Sequence, residues 1–438
     1  MSRRLHRGAV LHMLKDPAEL AASGSAESSA CEYFPSGELL IADGEIIAVG
    51  PRGTLASADE ALEVVDHGSS LILPGFIDCH VHYPQLDVIA SYGEQLLEWL
   101  DRYVFPEEAK FADEDFARST AQEFLKELLL NGTTTALVFG TVHSQSVEVF
   151  FQECEKRRLR MIAGKVLMDR NVPEALRDTP ASGYEDSKVL IERWHGRGRL
   201  RYAVTPRFAP TSSPEQLAAA GKLLDEYPDV YLHTHMSENQ NEIQWVSELF
   251  PEAKHYLDVY DSHGLARRRS VFAHCIHLQQ DEWARLGDSG SSIAFCPSSN
   301  MFLGSGLFAL SKAKQSDIPV GLGSDIGAGT GLSCFHTMDA AYKTQQLQQQ
   351  SLSPLQNLYL ATLGGAVALD LDDKIGNFQA GKEADFIVID LAATPSLKRR
   401  LARAATIEEQ IFVLATLADD RAVKETWILG EKLSERAR

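Results

Sequence analysis

The chain lacks any Cys-x-x-Cys pair. Its six cysteines, Cys31, Cys79, Cys154, Cys275, Cys296 and Cys334, are scattered through 438 residues. That spacing excludes a zinc ribbon and offers no disulfide framework, so a reducing cytoplasm is the expected compartment. Positive charge is also scarce, with 42 Lys and Arg against 61 Asp and Glu and a net charge of -19. Binding to nucleic acid needs clustered cations to neutralise phosphate, so that partner is excluded and a neutral or cationic small molecule is favoured. No apolar run approaches the roughly 18 residues of a membrane span, so no membrane partner is expected. The stretch after Met1-Ser2-Arg3-Arg4 is broken by His12 and Lys15 and has no cleavage region. There is no His-Glu-x-x-His. The H-x-E with P-C-x-x-C pattern of small zinc deaminases is missing too, and no Walker lysine follows the glycine-rich stretch 321–327.

What remains is an ordinary globular composition, 44% hydrophobic, long enough for one large domain and one small one. Short apolar or β-branched runs recur at 71–80, 133–139, 160–168, 200–205, 230–235, 270–274, 291–296 and 318–325. Amphipathic helical stretches such as 119–130, 147–156, 214–226 and 238–249 lie between them. Eight strands alternating with helices over about 250 residues predict an α/β fold, a (β/α)8 TIM barrel. At the flanks, two short apolar runs surround Asp43-Gly44, a hairpin signal, and 384–389 and 425–429 supply strands at the other end. The reading is a small β-sandwich domain built from 1–72 and 376–438, with the barrel, 73–375, inserted between them. The glutamine-rich patch 345–350 reads as a solvated helix face.

Barrel active sites lie at the C-terminal ends of the strands, and four strand ends carry chemistry. His80 and His82 close the first strand; at i and i+2 their imidazoles share a face and can reach one metal ion. The fifth ends in His233-Thr234-His235, followed by Glu238, which is expected in the first turn of the next helix. The sixth ends at His274 and the eighth at Asp325. Three histidines and an aspartate suffice for a zinc or iron ion with one position left for water. His80, His82, His235 and Asp325 are the expected ligands. His233 reads as a packed neighbour, and His274 is favoured over His277 because it lies closer to the strand end. Lys165 raises the question of a second metal, but its place well before the expected strand end argues for one. The glycines of 321–327 read as positions where backbone approaches a ligand.

Read together, 73–82 (LPGFIDCHVH), His235 with Glu238, 273–275 (AHC), 323–325 (GSD) and 381–385 (GKEAD) resemble the amidohydrolase superfamily in its single-metal deaminase branch. Within that branch, 82–85 (HYPQ), 205–210 (TPRFAP) and 296–306 (CPSSNMFLGSG) resemble the guanine deaminase family. The resemblance implies a homodimeric zinc enzyme, with ferrous iron as the alternative metal. It implies hydrolysis of guanine, a purine base, to xanthine and ammonia by a hydroxide formed at the metal. It assigns His80, His82, His235 and Asp325 to the metal, Glu238 to the proton shuttle, His274 to the attacking water or reacting centre, and Gln85, Arg207 and Phe208 to the base. The chemistry agrees: the amine is a poor leaving group until protonated, so the shuttle works twice, with Asp325 and His274 holding the nucleophile. Arg207 has only donors, which suits the carbonyl of guanine and penalises the amine of adenine. A salt bridge to a carboxylate is the alternative role for Arg207, and a core position for Phe208. Two other readings compete. One is a sibling hydrolase that deaminates or dechlorinates another heterocycle, such as 8-oxoguanine, cytosine, a pterin or a triazine; the other is a scaffold without catalysis.

Overall fold

Gly75 is where the chain leaves one sheet and enters another. In the computed structural model, which describes residues 3–55, 62–93 and 95–433, Glu63–Pro74 is a strand of a terminal sheet, parallel to Arg3–Met13 and antiparallel to Phe386–Ile389. The next strand, Phe76–His82, is the first of the barrel. A Cβ at Gly75 would lie 2.1 Å from Thr134 Oγ1, so only glycine fits the crossing. The single strand expected over 71–80 is therefore two strands in two sheets. The apolar run is continuous because both halves are buried, and hydrophobic periodicity does not register a change of sheet.

The expected (β/α)8 barrel is present. After the first strand come Thr133–Phe139, Arg160–Gly164, Arg201–Pro206, Tyr231–Met236, Ser270–His274, Ser292–Phe295 and Val320–Leu322, each in a parallel ladder with the next. The third strand is shorter than expected: it breaks at Lys165, and Val166–Leu167 resumes pairing with the fourth. Ile77, Cys79, Leu137, Ile162, Ala203, Tyr231, Val271, Ala273 and Ala294 fill the interior, together with Ala366 and Ala368 from the short helix Leu363–Ala368. The barrel is thus a packed core, with the cluster of histidines and aspartate at the C-terminal ends of its strands.

No ladder joins the eighth strand to the first. Instead Asp325 N–H donates to the His80 carbonyl at 2.9 Å and His82 N–H to the Ile326 carbonyl at 3.0 Å. This approach requires small residues. A Cβ on Gly321 would lie 2.3 Å from Cys79 Sγ, and one on Gly323 would lie 2.9 Å from both His80 Cβ and Cys296 Sγ.

Both chain ends contribute to one terminal sheet of seven strands. Asp43 and Gly44, both at positive φ, form the two-residue turn between Cys31–Ala42 and Glu45–Pro51, as the sequence predicts. The sheet folds on itself, so that Ile46 N–H bonds the Lys382 carbonyl and Ala384 N–H the Gly44 carbonyl, with Leu39, Ile41, Ile46, Phe386, Val388 and Trp427 packed together. Positions 1–2, 56–61 and 434–438 of the expected small domain lie outside the described residues. The 381–385 string joins the two parts of the molecule: Glu383 pairs with Arg160 and Arg199, and Asp385 with Arg199.

The helix Pro214–Glu226 is as expected, started by Ser213 accepting from Gln216 N–H with proline at its first position. Two others begin earlier, at Glu114 and Ser144. Gln345, expected in solvent, is buried, and with Gln348 donates to the Phe308 carbonyl. All six cysteines are free thiols, five of them buried. No helix among the described residues is long and apolar enough to cross a membrane.

If the Gly321 contact closes the barrel, Gly321→Ala lowers stability by about 1–3 kcal/mol through overpacking. Thermal melting should show a reduced Tm, and adding Cys79→Ala should recover part of it; no recovery would place the strain elsewhere.

Candidate active site

The four strand ends converge. His80 and His82 come from the first strand, His235 from the fifth, His274 from the sixth and Asp325 from the turn after the eighth. His80 Nε2 and His235 Nε2 each lie 3.2 Å from His82 Nε2, and Asp325 Oδ1 lies 3.2 Å from His80 Nε2 and 3.4 Å from His82 Nε2. Ligand atoms of a tetrahedral metal with bonds of about 2.0–2.1 Å are about 3.3 Å apart. The donor set therefore fits one ion of zinc size. His274 joins the same cluster: with His80, His235 and Asp325 it offers ligand atoms all within 4.8 Å of one another.

Hydrogen bonds at the far ring nitrogens aim three of these imidazoles inward, while His82 Nδ1 is buried without one. His235 Nδ1 donates to the Arg207 carbonyl at 2.7 Å; since a carbonyl only accepts, Nε2 is left unprotonated. His80 Nδ1 meets His233 Nε2 at 2.7 Å, and His274 Nδ1 meets Asn300 Oδ1 at 2.8 Å. His233 is thus the packed neighbour the sequence suggests, and it also orients His80. Burial pushes His82 down to about 3 and His235 well below the ordinary histidine range, so the rings are neutral, the form that binds metal. His274 Nε2 is buried without a hydrogen-bond partner, 3.5 Å from Glu238 Oε2 and 3.8 Å from Asp325 Oδ2.

Glu238 does not occupy the first helical turn. The helix is Gln240–Leu249, and Asn239 is its N-cap in a capping box with Glu242. Glu242 accepts from the N–H groups of Glu238 and Asn239 at 2.9 and 3.1 Å and from the Tyr256 hydroxyl at 2.6 Å. This arrangement holds Glu238 in the turn before the helix, where the Ser305 hydroxyl donates to its Oε1 at 3.0 Å. Burial, with the charge of Asp325, pushes Glu238 up to about 8; a cation among the histidines acts in the opposite sense.

Beside the cluster opens a pocket lined by His82, Gln85, Leu96, Trp99, Leu100, Arg207, Phe208, His235, Glu238, His274, Leu303, Asp325 and Ala328. Every site residue expected from the sequence is in or against it, His80 behind His82. Arg207 has the salt bridge named as its alternative role: Nη1 contacts both oxygens of Glu108, at 2.9 and 2.8 Å. Glu108 also accepts from Gln85 Nε2 at 3.0 Å. Sequence reasoning missed Glu108, which lies in a helical run with no recognisable spacing; it also missed Ser305, although the 296–306 string contains it. His277 bonds the Ser305 carbonyl at 2.8 Å, outside the cluster. Lys165 lies just past the third strand, closer to its end than expected, and its Nζ is held by Asp178 at 2.6 Å.

Four backbone positions here, Ser237, His274, Cys275 and Asp325, are non-glycine residues at φ between 50° and 71°. Such strain concentrates at functional sites. Because a ligand's orientation depends on its outer hydrogen bond, His233→Ala should weaken metal affinity by about 10–100-fold. Chelator competition checks this, and unchanged affinity would mean that His233 only fills space.

The sequence model of the amidohydrolase family matches residues 71–433. The chain is 50% identical over 428 residues to a guanine deaminase of Escherichia coli K12, covering 98% of this chain and 96% of that one. A solved structure of E. coli guanine deaminase superposes with a TM-score of 0.94 over 100% of both chains at 48% identity. A guanine deaminase from C. acetobutylicum, solved with guanine bound in its active site, gives 0.89 at 28% identity over 99% of this chain and 100% of that one. The chain belongs to the amidohydrolase family and, within it, to the group that holds these guanine deaminases.

Proposed function

We infer that the protein hydrolyses guanine to xanthine and ammonia. The observation that carries this reading is a single pocket in which Gln85 and Arg207 offer donors on one wall while Glu238 and His274 face the histidine–aspartate cluster. The identity to curated guanine deaminases over nearly the whole chain supports it.

His80, His82, His235 and Asp325 would hold one divalent ion, zinc in this proposal. When bound, such an ion lowers the pKa of water from about 16 to near 7 and so makes hydroxide available at neutral pH. Glu238 takes one proton of the attacking water and passes it to the ring nitrogen beside the carbon under attack; it then takes the remaining proton of the added hydroxyl and gives it to the amine, which leaves as ammonia while the carbonyl forms. Water and guanine are thereby converted to xanthine and ammonia with no other reactant. His274, with its Nδ1 engaged by Asn300, presents Nε2 to the nucleophile and keeps it in line. Arg207 and Gln85 meet the carbonyl edge of the purine, and Phe208, with Trp99, Leu100 and Leu303, supplies the apolar wall for its flat ring. The five buried free thiols fit a reducing cytoplasm, and the homodimer implied by the family resemblance is retained as part of the proposal.

Ammonia release from a panel of heterocycles tests the reading. Guanine should be the preferred substrate; turnover of a pterin, cytosine, 8-oxoguanine or a triazine without turnover of guanine would overturn it. In the same assay Glu238→Gln should lower kcat by about 10²–10⁴-fold while metal content stays near one per chain. Loss of metal with that substitution would make Glu238 a ligand instead of a shuttle.

A further inference from the structure

One buried charge at the pocket is absent from the chemistry above. Glu108 is fully buried, and its carboxylate lies between the two residues assigned to the polar edge of the base. Oε1 accepts from Gln85 Nε2 at 3.0 Å and from Arg207 Nη1 at 2.9 Å, and Oε2 accepts from Arg207 Nη1 at 2.8 Å. At the other end of the Gln85 amide, Oε1 accepts from the N–H of Gly327 at 3.0 Å.

We propose that Glu108 is the positioning residue that sets base selectivity, by locking Gln85 and Arg207 as a wall of donors. The proposal rests on the guanine reading and extends it.

A carboxylate only accepts and a backbone N–H only donates. Between them, the Gln85 side chain has one orientation. Turned over, its carbonyl would face the carboxylate and its NH₂ would face another N–H, two repulsive contacts in a buried site. The Gln85 NH₂ spends one hydrogen on Glu108 and keeps the second for the pocket that Gln85 lines. Arg207 has no acceptor to offer, and its guanidinium is fixed by Glu108 on one side and by the ring of Phe105, 5.5 Å away, on another. Phe105 and Glu108 belong to the same short helix, Phe105–Glu108, so a single turn of chain positions the whole group. Both residues that meet the base therefore present hydrogens only.

The consequence for substrate class is twofold. A purine carbonyl matches this wall, whereas an exocyclic amine at the same position meets hydrogens with hydrogens. Glu108 also offsets the charge of Arg207, so the wall carries no net charge and suits a neutral heterocycle over a carboxylate or phosphate ligand. An arginine at the pocket without its glutamate would attract anions. The same feature predicts that glutamate alone cannot replace Gln85, since a carboxylate there would face Glu108.

The test compares guanine with 2,6-diaminopurine, the same base with an amine in place of the carbonyl, in wild-type protein and in Glu108→Gln. A glutamine at 108 can present either end of its amide, so one of the two contacts that orient Gln85 no longer selects, and only the N–H of Gly327 still favours the original orientation. The ratio of kcat/KM for guanine to that for 2,6-diaminopurine should fall about tenfold or more, the effect of one misaligned hydrogen bond, with metal content unchanged. Equal losses on both bases, or no change in either, overturn the proposal, since a merely structural role moves both alike. Should Glu108→Gln fail to melt cooperatively, the exchange Gln85→Glu with Glu108→Gln keeps the net charge of the group and places an acceptor at the pocket. It should shift the ratio further toward 2,6-diaminopurine, and a wild-type ratio overturns the proposal. No ammonia from guanine with the wild-type protein would overturn the functional reading and this proposal together, whereas turnover with an unaltered ratio overturns this proposal alone.

Discussion

Asp78 accepts from the backbone N–H of Ser324 at 3.0 Å, from the Ser324 hydroxyl, and from the N–H of His80 at 3.1 Å. That one carboxylate ties the end of the eighth strand to the first, and with the two backbone bonds that close the barrel it fixes Asp325 against His80 and His82. The close approach is available only because Gly321 and Gly323 carry no side chain. Without it Asp325 would face a strand gap, and His80 and His82 would lose the carboxylate that lies 3.2 and 3.4 Å from their Nε2 atoms. Asp78 is buried, and burial pushes it up to about 6 against the hydrogen bonds that favour its ionised form. The closure of the barrel and the charge balance of the site are therefore one structural problem.

The site is built in two layers that share residues. The Arg207 carbonyl sets the tautomer of His235 while its side chain binds Glu108, so one residue couples the histidine cluster to the wall of the adjacent pocket. Ser305 bonds Glu238 through its hydroxyl and His277 through its carbonyl, coupling the loops after the fifth, sixth and seventh strands. Glu242, pushed up to about 7 by burial and by Glu238, stabilises the turn that presents Glu238. Couplings of this kind locate the reacting groups to a fraction of an ångström, which positioning and proton transfer both require.

The sequence made the site visible wherever a strand end carried a short motif. His80, His82, His235, His274 and Asp325 could be read because a (β/α)8 barrel brings its strand ends to one rim, whatever their separation along the chain. The hairpin at Asp43-Gly44 was legible because that turn needs positive φ at both positions. Three features were hidden for physical reasons. The change of sheet at Gly75 falls inside an unbroken apolar run, since both sheets bury their strands. The place of Glu238 before the helix depends on Asn239 and Glu242 forming the cap, and a cap competes with any acidic residue nearby for the start of the helix. Glu108 sits 26 residues past His82, in a segment whose helical pattern is interrupted at Leu100–Val104; only tertiary packing brings it to Gln85 and Arg207.

The central claim is a single metal ion held by imidazole nitrogen and carboxylate oxygen at this rim. X-ray absorption at the metal edge of the zinc-loaded protein tests it most directly. The account predicts a shell of nitrogen and oxygen only, at about 2.0–2.2 Å, with no heavy scatterer beyond it, despite the thiols of Cys79 and Cys296 nearby. A sulfur shell at about 2.3 Å, or a metal–metal distance of about 3.5–4 Å, would contradict it.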